Sequence, residues 1–145
     1  IDVALHGVEV FCLGETVAVP LFVTMREHCT VQVARQALDR IVRDEVRHRE
    51  FGWALLDWLL EAAGGPIRER VQAELPRMLA RVRANYGQPE PGQRPASEAD
   101  PSEAAWGLLP VPRYAQVLER CIERDYRPRF AQRGLSLDGS PVFNT

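Results

Sequence analysis

The sequence predicts an all-α protein that begins with two long antiparallel helices. Apolar residues recur at alternating spacings of three and four along both segments, which is the period of an α-helix with one apolar face. A short connection near residue 30 separates the segments, and a connection of this length turns consecutive helices antiparallel. Glycine and proline at positions 64–66 then end the second segment.

The first predicted helix covers residues 2 to about 27. Pro20 lies inside it, and a proline there removes one backbone hydrogen bond and crowds the preceding turn. We therefore expect a kink just beyond Glu15.

The second predicted helix covers residues 31 to about 62, with Thr30 as its candidate N-cap. Gly64 and its neighbours supply the helix end, since glycine is the usual residue just past a helix C-terminus. Residues 1–63 thus form the predicted helical hairpin.

The rest of the chain divides into four predicted regions. They are an additional helix at 64–86 with a bend or split at Pro76, a proline-rich linker at 87–112, a C-terminal helix at 113–133 and a coil tail at 134–145. At 145 residues the chain is long enough for one domain with such an extension.

Polar residues interrupt the apolar stripe of each hairpin helix. The stripes read Ala4, Val8, Phe11, Glu15, Ala18, Phe22, Met25 and Leu38, Ile41, Glu45, His48, Gly52, Leu55, Leu59. Carboxylates are rarely buried without a partner, because an isolated ionised one costs several kcal/mol or more. Glu15, Glu45 and His48 on core-facing stripes therefore indicate a bound cation or a shared proton.

The spacing of these residues favours a metal site. Glu45 and His48 lie three residues apart, so they share one helix face. From a turn near residue 30, Glu15 and Glu45 are equally distant, at about 22 Å for a rise of 1.5 Å per residue. Two carboxylates and one imidazole suit iron, with manganese as the other candidate.

Asp44 and Arg47 are candidates for supporting roles around these ligands. Asp44 lies four residues before His48, so its carboxylate can accept the proton of the imidazole nitrogen that does not bind metal. Arg47 can in turn hold Asp44 or a carboxylate of a second half-site. No separate catalytic residue or organic cofactor site is indicated.

Glu15 followed by Asp44-Glu45-Val46-Arg47-His48 resembles half of the ligand set of the ferritin-like di-iron carboxylate superfamily. The Asp-Glu-x-Arg-His motif is similar to that of ribonucleotide reductase small subunits and bacterial multicomponent monooxygenases. The resemblance covers roughly residues 1–62. It implies that this hairpin is half of a four-helix bundle, and that a complete site holds two iron ions.

The sequence contains only one such half-set, because no second Glu-x-x-His follows. Either a preceding helical hairpin is missing before Ile1, or a second copy of the chain completes the site as a homodimer partner. We expect the preceding hairpin, because Ile1 begins abruptly within an apolar periodic pattern.

The resemblance implies a non-haem di-iron oxidoreductase that activates O2 or peroxide to oxidise a small-molecule substrate. One alternative is a ferroxidase or iron-storage protein, which would form a symmetric oligomer. The other is a metal-free helical interaction protein, in which Glu45 and His48 only pair with each other in the core. The extension beyond the hairpin favours the enzyme, because extra helices can build a substrate pocket.

Composition narrows the partners and the compartment. The formal charge of −2 gives no electrostatic footprint for nucleic acid or an anionic membrane, so neither partner is expected. Three cysteines without a Cys-x-x-Cys spacing predict neither a disulfide framework nor a zinc site. With no recognised secretion signal and no unbroken apolar run of membrane-spanning length, a cytoplasmic location is expected.

Overall fold

The computed structural model describes residues 2–87 and 100–138, and every regular element in these ranges is helical, which confirms the all-α prediction. The elements are α1 (Asp2–Gly7), a first π-helical segment (Val8–Gly14), α2 (Glu15–His28), α3 (Gln32–Gly87), α4 (Pro101–Ala105), α5 (Val111–Cys121), a second π-helical segment (Ile122–Tyr126) and α6 (Arg127–Ala131).

The chain from α1 to α2 is one helical path that packs antiparallel to the start of α3. Trp53 Nε1 donates a hydrogen bond to Thr16 Oγ1 at 2.9 Å, and Arg26 pairs with Asp39 at 2.7 Å. Residue numbers in these pairs run in opposite directions, as the predicted hairpin requires. The irregularity in the path, however, is the π-helical segment before Glu15, and α2 continues as an α-helix through Pro20.

Gly64 divides α3 into two arms. Its φ of 58° and ψ of −136° are not helical, and a positive φ is readily adopted only by glycine. The first arm (residues 32–63) ends where the sequence predicted, and the second arm (residues 65–87) is the predicted additional helix. Pro76 lies within the second arm without non-helical backbone angles, so of the predicted bend or split, the split is wrong.

The second arm and the α5–α6 region cover the hairpin and build a core with it. Tyr126 donates its hydroxyl to the carbonyl of Leu13 at 2.6 Å, and the rings of Trp53 and Phe130 meet edge to face at 4.9 Å. The largest fully buried side chains are Trp53, Tyr126, Phe130, Leu13, Leu56, Leu75, Met78, Leu118, Ile122, Leu135, Val8 and Val17. The C-terminal half of the chain thus supplies much of the hydrophobic core.

The two predicted stripes lie at the edge of this core and not in its centre, which corrects the prediction. Val8, Leu38 and Gly52 are buried, but most other stripe members are only partly buried and His48 is exposed. The core instead uses neighbouring positions such as Leu13 and Trp53. The cause is the covering by the second arm and by α5–α6, which the periodicity of the hairpin alone could not indicate.

The predicted linker is partly structured. Residues 100–112 contain α4, and Leu109 is buried. The backbone N–H groups of Thr30 and Val31 donate to the carbonyl of Ala105 at 2.9 and 3.0 Å, so they tie the hairpin turn to α4. Because α3 begins at Gln32, Val31 precedes its first residue and Thr30 is not the predicted N-cap. Residues 88–99, which form the other part of that linker, lie outside the described residues.

The predicted coil tail begins as expected and then packs. Residues 134–138 are not helical, but Leu135 and Leu137 are buried in the core. Gln72 holds this stretch through two hydrogen bonds of 2.8 Å to the backbone of Ser136. The remainder of the tail, residues 139–145, lies outside the described residues.

One helical path in the described ranges, Val3–His28, is long and apolar enough to span a membrane. In its most apolar window, 44% of the residues are buried within the protein. A core helix of a soluble protein and a signal sequence near an N-terminus meet the same criteria of length and composition, so the cytoplasmic location stays a prediction.

Candidate metal centre

The structure brings Glu15, Glu45 and His48 together. Each residue offers one ligand atom, and the three atoms lie within 4.8 Å of one another. Glu15 is the first residue of α2, whereas Glu45 and His48 lie one turn apart on the first arm of α3. The predicted equal height of the two glutamates in the hairpin therefore agrees with the structure.

The imidazole of His48 faces both carboxylates through the same ring nitrogen. Its Nδ1 is 3.4 Å from Oε2 of Glu45 and 3.7 Å from Oε2 of Glu15. The side chains of Glu15 and Glu45 are 22% and 17% exposed, and that of His48 is 54% exposed. The cluster thus has a sheltered carboxylate side and an open imidazole side.

Two local features of the backbone adjoin this cluster. The first π-helical segment ends at Gly14, directly before Glu15, and a π-helical turn shifts the face on which the following residues lie. At Gly52, one turn beyond His48, an added Cβ would lie 2.4 Å from the carbonyl oxygen of Phe11. Glycine at position 52 therefore permits the close approach of the two helices beside the site.

The electrostatics of Glu15 reflect its neighbours. Burial is the main cause that raises its pKa to about 7, followed by the hydrogen bond and the negative charge of Glu45, while His48 opposes the shift. Without a cation, the carboxyl group of Glu15 therefore keeps its proton up to a pH of about 7. A metal ion would replace that proton and neutralise both carboxylates.

Tyr86, on the second arm of α3, is a further residue of the site that was not predicted from the sequence. Tyr86 and Glu15 line the same cavity, so the phenol lies near the cluster. Burial raises the pKa of Tyr86, and the negative charges of Glu15 and Glu45 raise it further. No motif marks this residue. Only the packing of the second arm against the first helix brings it to the site.

Asp44 and Arg47 contact each other and not the imidazole. Arg47 Nη1 is 3.4 Å from Asp44 Oδ1, and the two side chains are 74% and 58% exposed. The ring nitrogen Nδ1 of His48 faces Glu45, one turn away on the helix, instead of Asp44. The structure thus gives Asp44 a different partner from the predicted one, and its supporting role in a metal-bound protein stays a prediction.

The donor set fits iron or manganese. Two carboxylates offer hard anionic oxygens that can chelate or bridge, and one imidazole nitrogen completes a mixture that such metals accept. The exposed side of His48 leaves room for further ligands, because three protein donors do not fill the coordination shell of either metal.

No protein-family model matches the chain, and no curated protein or solved structure is significantly similar to it.

Proposed function

We propose that Glu15, Glu45 and His48 bind iron or manganese and form one half of a two-metal oxidoreductase centre. The observation that carries this proposal is the convergence of two sheltered carboxylates and one imidazole, from two helices, within 4.8 Å. A carboxyl group whose pKa is raised to about 7 beside a second carboxylate supports it, because a divalent cation would relieve that repulsion.

The activity that we infer is the oxidation of a small molecule with O2 or peroxide. A redox-active metal held here would supply the electrons for activating the oxidant. Glu15 and Glu45 would bind the metal and balance its charge. Val82 and Tyr86, buried and partly buried on the second arm, would supply apolar surface on the side of Glu15 that faces this arm.

The likeness to ferritin-like proteins remains part of this proposal. We infer that a second hairpin with the same ligand set completes the centre, supplied either by a segment preceding Ile1 or by a second copy of the chain. Exposed apolar side chains on the first arm support a packing partner: Phe51, one turn from His48, is 54% exposed, and Trp58, further along the arm, is 61% exposed. Large exposed apolar residues near a site indicate an interaction surface.

Metal analysis tests the proposal. The chain is purified from iron-supplemented medium beside Glu45→Ala, His48→Ala and a matched control, Glu61→Ala, which replaces an exposed glutamate elsewhere on the first arm. We expect about one metal ion per chain in the parent and the control, as half of a two-metal site implies. The two site variants should lose most of it.

The outcomes separate the alternatives. Negligible metal in all four proteins would leave a helical interaction protein, in which Glu45 and His48 only pair with each other. Many irons per chain in a large symmetric shell would indicate storage and not oxidation. If the isolated chain dimerises when metal is added, the second copy supplies the other half-site. A monomer that binds metal weakly instead favours a preceding segment as the source.

A further inference from the structure

A cavity opens between the first helix of the hairpin and the second arm of α3, beside the candidate metal centre. Its volume is about 540 Å³, within the range of small-molecule sites. Glu15 forms part of its wall, so the cavity and the metal cluster share one side chain. Tyr86 lines this cavity and also a neighbouring one of about 310 Å³.

The wall of the cavity has an apolar part and a polar part. Side chains of Val10, Ala18 and Val82 and the ring of Tyr86 supply the apolar surface. The polar part contains His6, the charged residues Glu9, Glu15 and Arg81, and Asn85, whose side-chain amide offers both donors and an acceptor. A mainly apolar surface with polar groups at defined positions is typical of sites that orient an organic ligand.

Two of the charged side chains in the wall neutralise each other. Arg81 and Glu9 form a two-fold ion pair, with Nε–Oε1 at 2.6 Å and Nη2–Oε2 at 2.8 Å. The guanidinium is therefore already engaged by a carboxylate, and Glu15 adds acidic character to the same wall. Apart from His6, the basic side chain in this wall is thus matched by a carboxylate, and a neutral ligand needs no unmatched charge.

From these observations we propose that the cavity binds a neutral, mainly apolar small molecule with one hydrogen-bonding group, such as a phenol or an alcohol. The apolar body lies against Val10, Val82 and the ring of Tyr86. The polar group lies toward Asn85 or the Glu15 carboxyl, adjacent to the metal. This inference deepens the proposed function and names the class of molecule that the site would oxidise.

The probe is 4-fluorophenol, followed by ¹⁹F NMR in a titration with the metal-free chain. We expect saturable broadening of the fluorine signal. Ala18→Phe fills the cavity from a partly exposed position, and Asn85→Trp blocks it from an exposed one. Each variant should weaken binding at least about tenfold, because a filled pocket removes most of the contact area.

Ala54→Phe is the matched control, since it adds the same ring at an exposed alanine outside the cavity. The affinity of this variant for 4-fluorophenol should equal that of the parent chain. Absence of saturable binding to the parent would overturn the proposal, and so would parental affinity in both blocking variants. Asn85 is exposed, so Asn85→Trp keeps the test valid if Ala18→Phe fails to fold.

A second measurement separates this inference from the proposed function. Mn(II) bound beside the cavity should broaden the fluorine signal of bound probe further through its unpaired electrons. Glu45→Ala does not alter the cavity lining, so it should abolish this extra broadening and leave probe binding intact. Probe binding without a metal effect would contradict only the metal centre. Metal binding without probe binding would contradict only the cavity.

Discussion

Glu15→Gln is expected to stabilise the metal-free protein at pH 8 while abolishing its stabilisation by Mn(II). The pKa of Glu15 is raised from its usual 4.5 to about 7. Below pH 4.5 both the folded and unfolded states are protonated at this residue. Between pH 4.5 and 7 only the folded state keeps the proton, so the free energy of unfolding falls as the pH rises through this window.

The size of the effect follows from the shift. The raised pKa corresponds to about 3–4 kcal/mol at most at pH 8. The Glu15 side chain is 22% exposed, and solvent screening lowers this figure, so we expect about 1–2 kcal/mol. Glutamine cannot ionise, so the free energy of unfolding of the variant should exceed that of the parent by this amount at pH 8. At pH 4 the two values should be equal.

Mn(II) should reverse the order of stability, so that the parent becomes more stable than Glu15→Gln. Binding to the folded state alone adds about 2.7 kcal/mol when the ion is present at one hundred times its dissociation constant. The parent gains this stabilisation and the variant, which lacks one ligand, gains little. Urea unfolding at pH 4 and pH 8, with and without Mn(II), measures both effects.

Glu9→Gln is the matched control on the same helical path, and its effect on the free energy of unfolding should have the opposite sign. Hydrogen bonding to Arg81 is the main cause that lowers the pKa of Glu9, so its contribution is present above the unfolded value and is lost as the pH falls. This variant should be less stable than the parent at pH 8 and keep its response to Mn(II). If metal-free Glu15→Gln is less stable than the parent at pH 8, the reasoning about the paired carboxylates is wrong.

Two further predictions concern the packing that supports the site. Gly52→Ala should lower the free energy of unfolding by about 1–3 kcal/mol, because its Cβ would overlap the backbone of Phe11, whereas Gly65→Ala, with open space at its Cβ, should be neutral or stabilising. Urea unfolding compares the two variants, and equal free energies of unfolding would contradict the close approach of the helices at Gly52. Tyr126→Phe should cost about 1–2 kcal/mol, since it leaves the buried carbonyl of Leu13 without this donor. Thermal unfolding measures that loss, and an unchanged midpoint would show that this hydrogen bond contributes nothing.

The sequence was sufficient to predict the hairpin and the cluster because both depend on local spacing. The separation between Glu45 and His48 determines their common face on a helix, and the short turn determines the level of Glu15. The break at Gly64 was equally predictable, since a glycine pair followed by proline ends most helices.

What the sequence did not reveal depends on contacts between distant segments. The burial of Tyr126 and Leu135 follows from the packing of the C-terminal region on the hairpin, and no periodicity within the hairpin indicates which face that region covers. Tyr86 reaches the site for the same reason. The π-helical segment before Glu15 has no simple sequence signal, whereas Pro20, which has one, lies within a continuous helix.

The central claim is that His48 and the two glutamates bind one metal ion. The most direct measurement is pulsed electron paramagnetic resonance of Mn(II) added to the chain at pH 8, which detects magnetic coupling to a directly bound ¹⁴N nucleus. We predict coupling to one imidazole nitrogen in the parent chain and in Glu61→Ala, and its loss in His48→Gln. Bound Mn(II) without nitrogen coupling, or coupling that persists in His48→Gln, would contradict it.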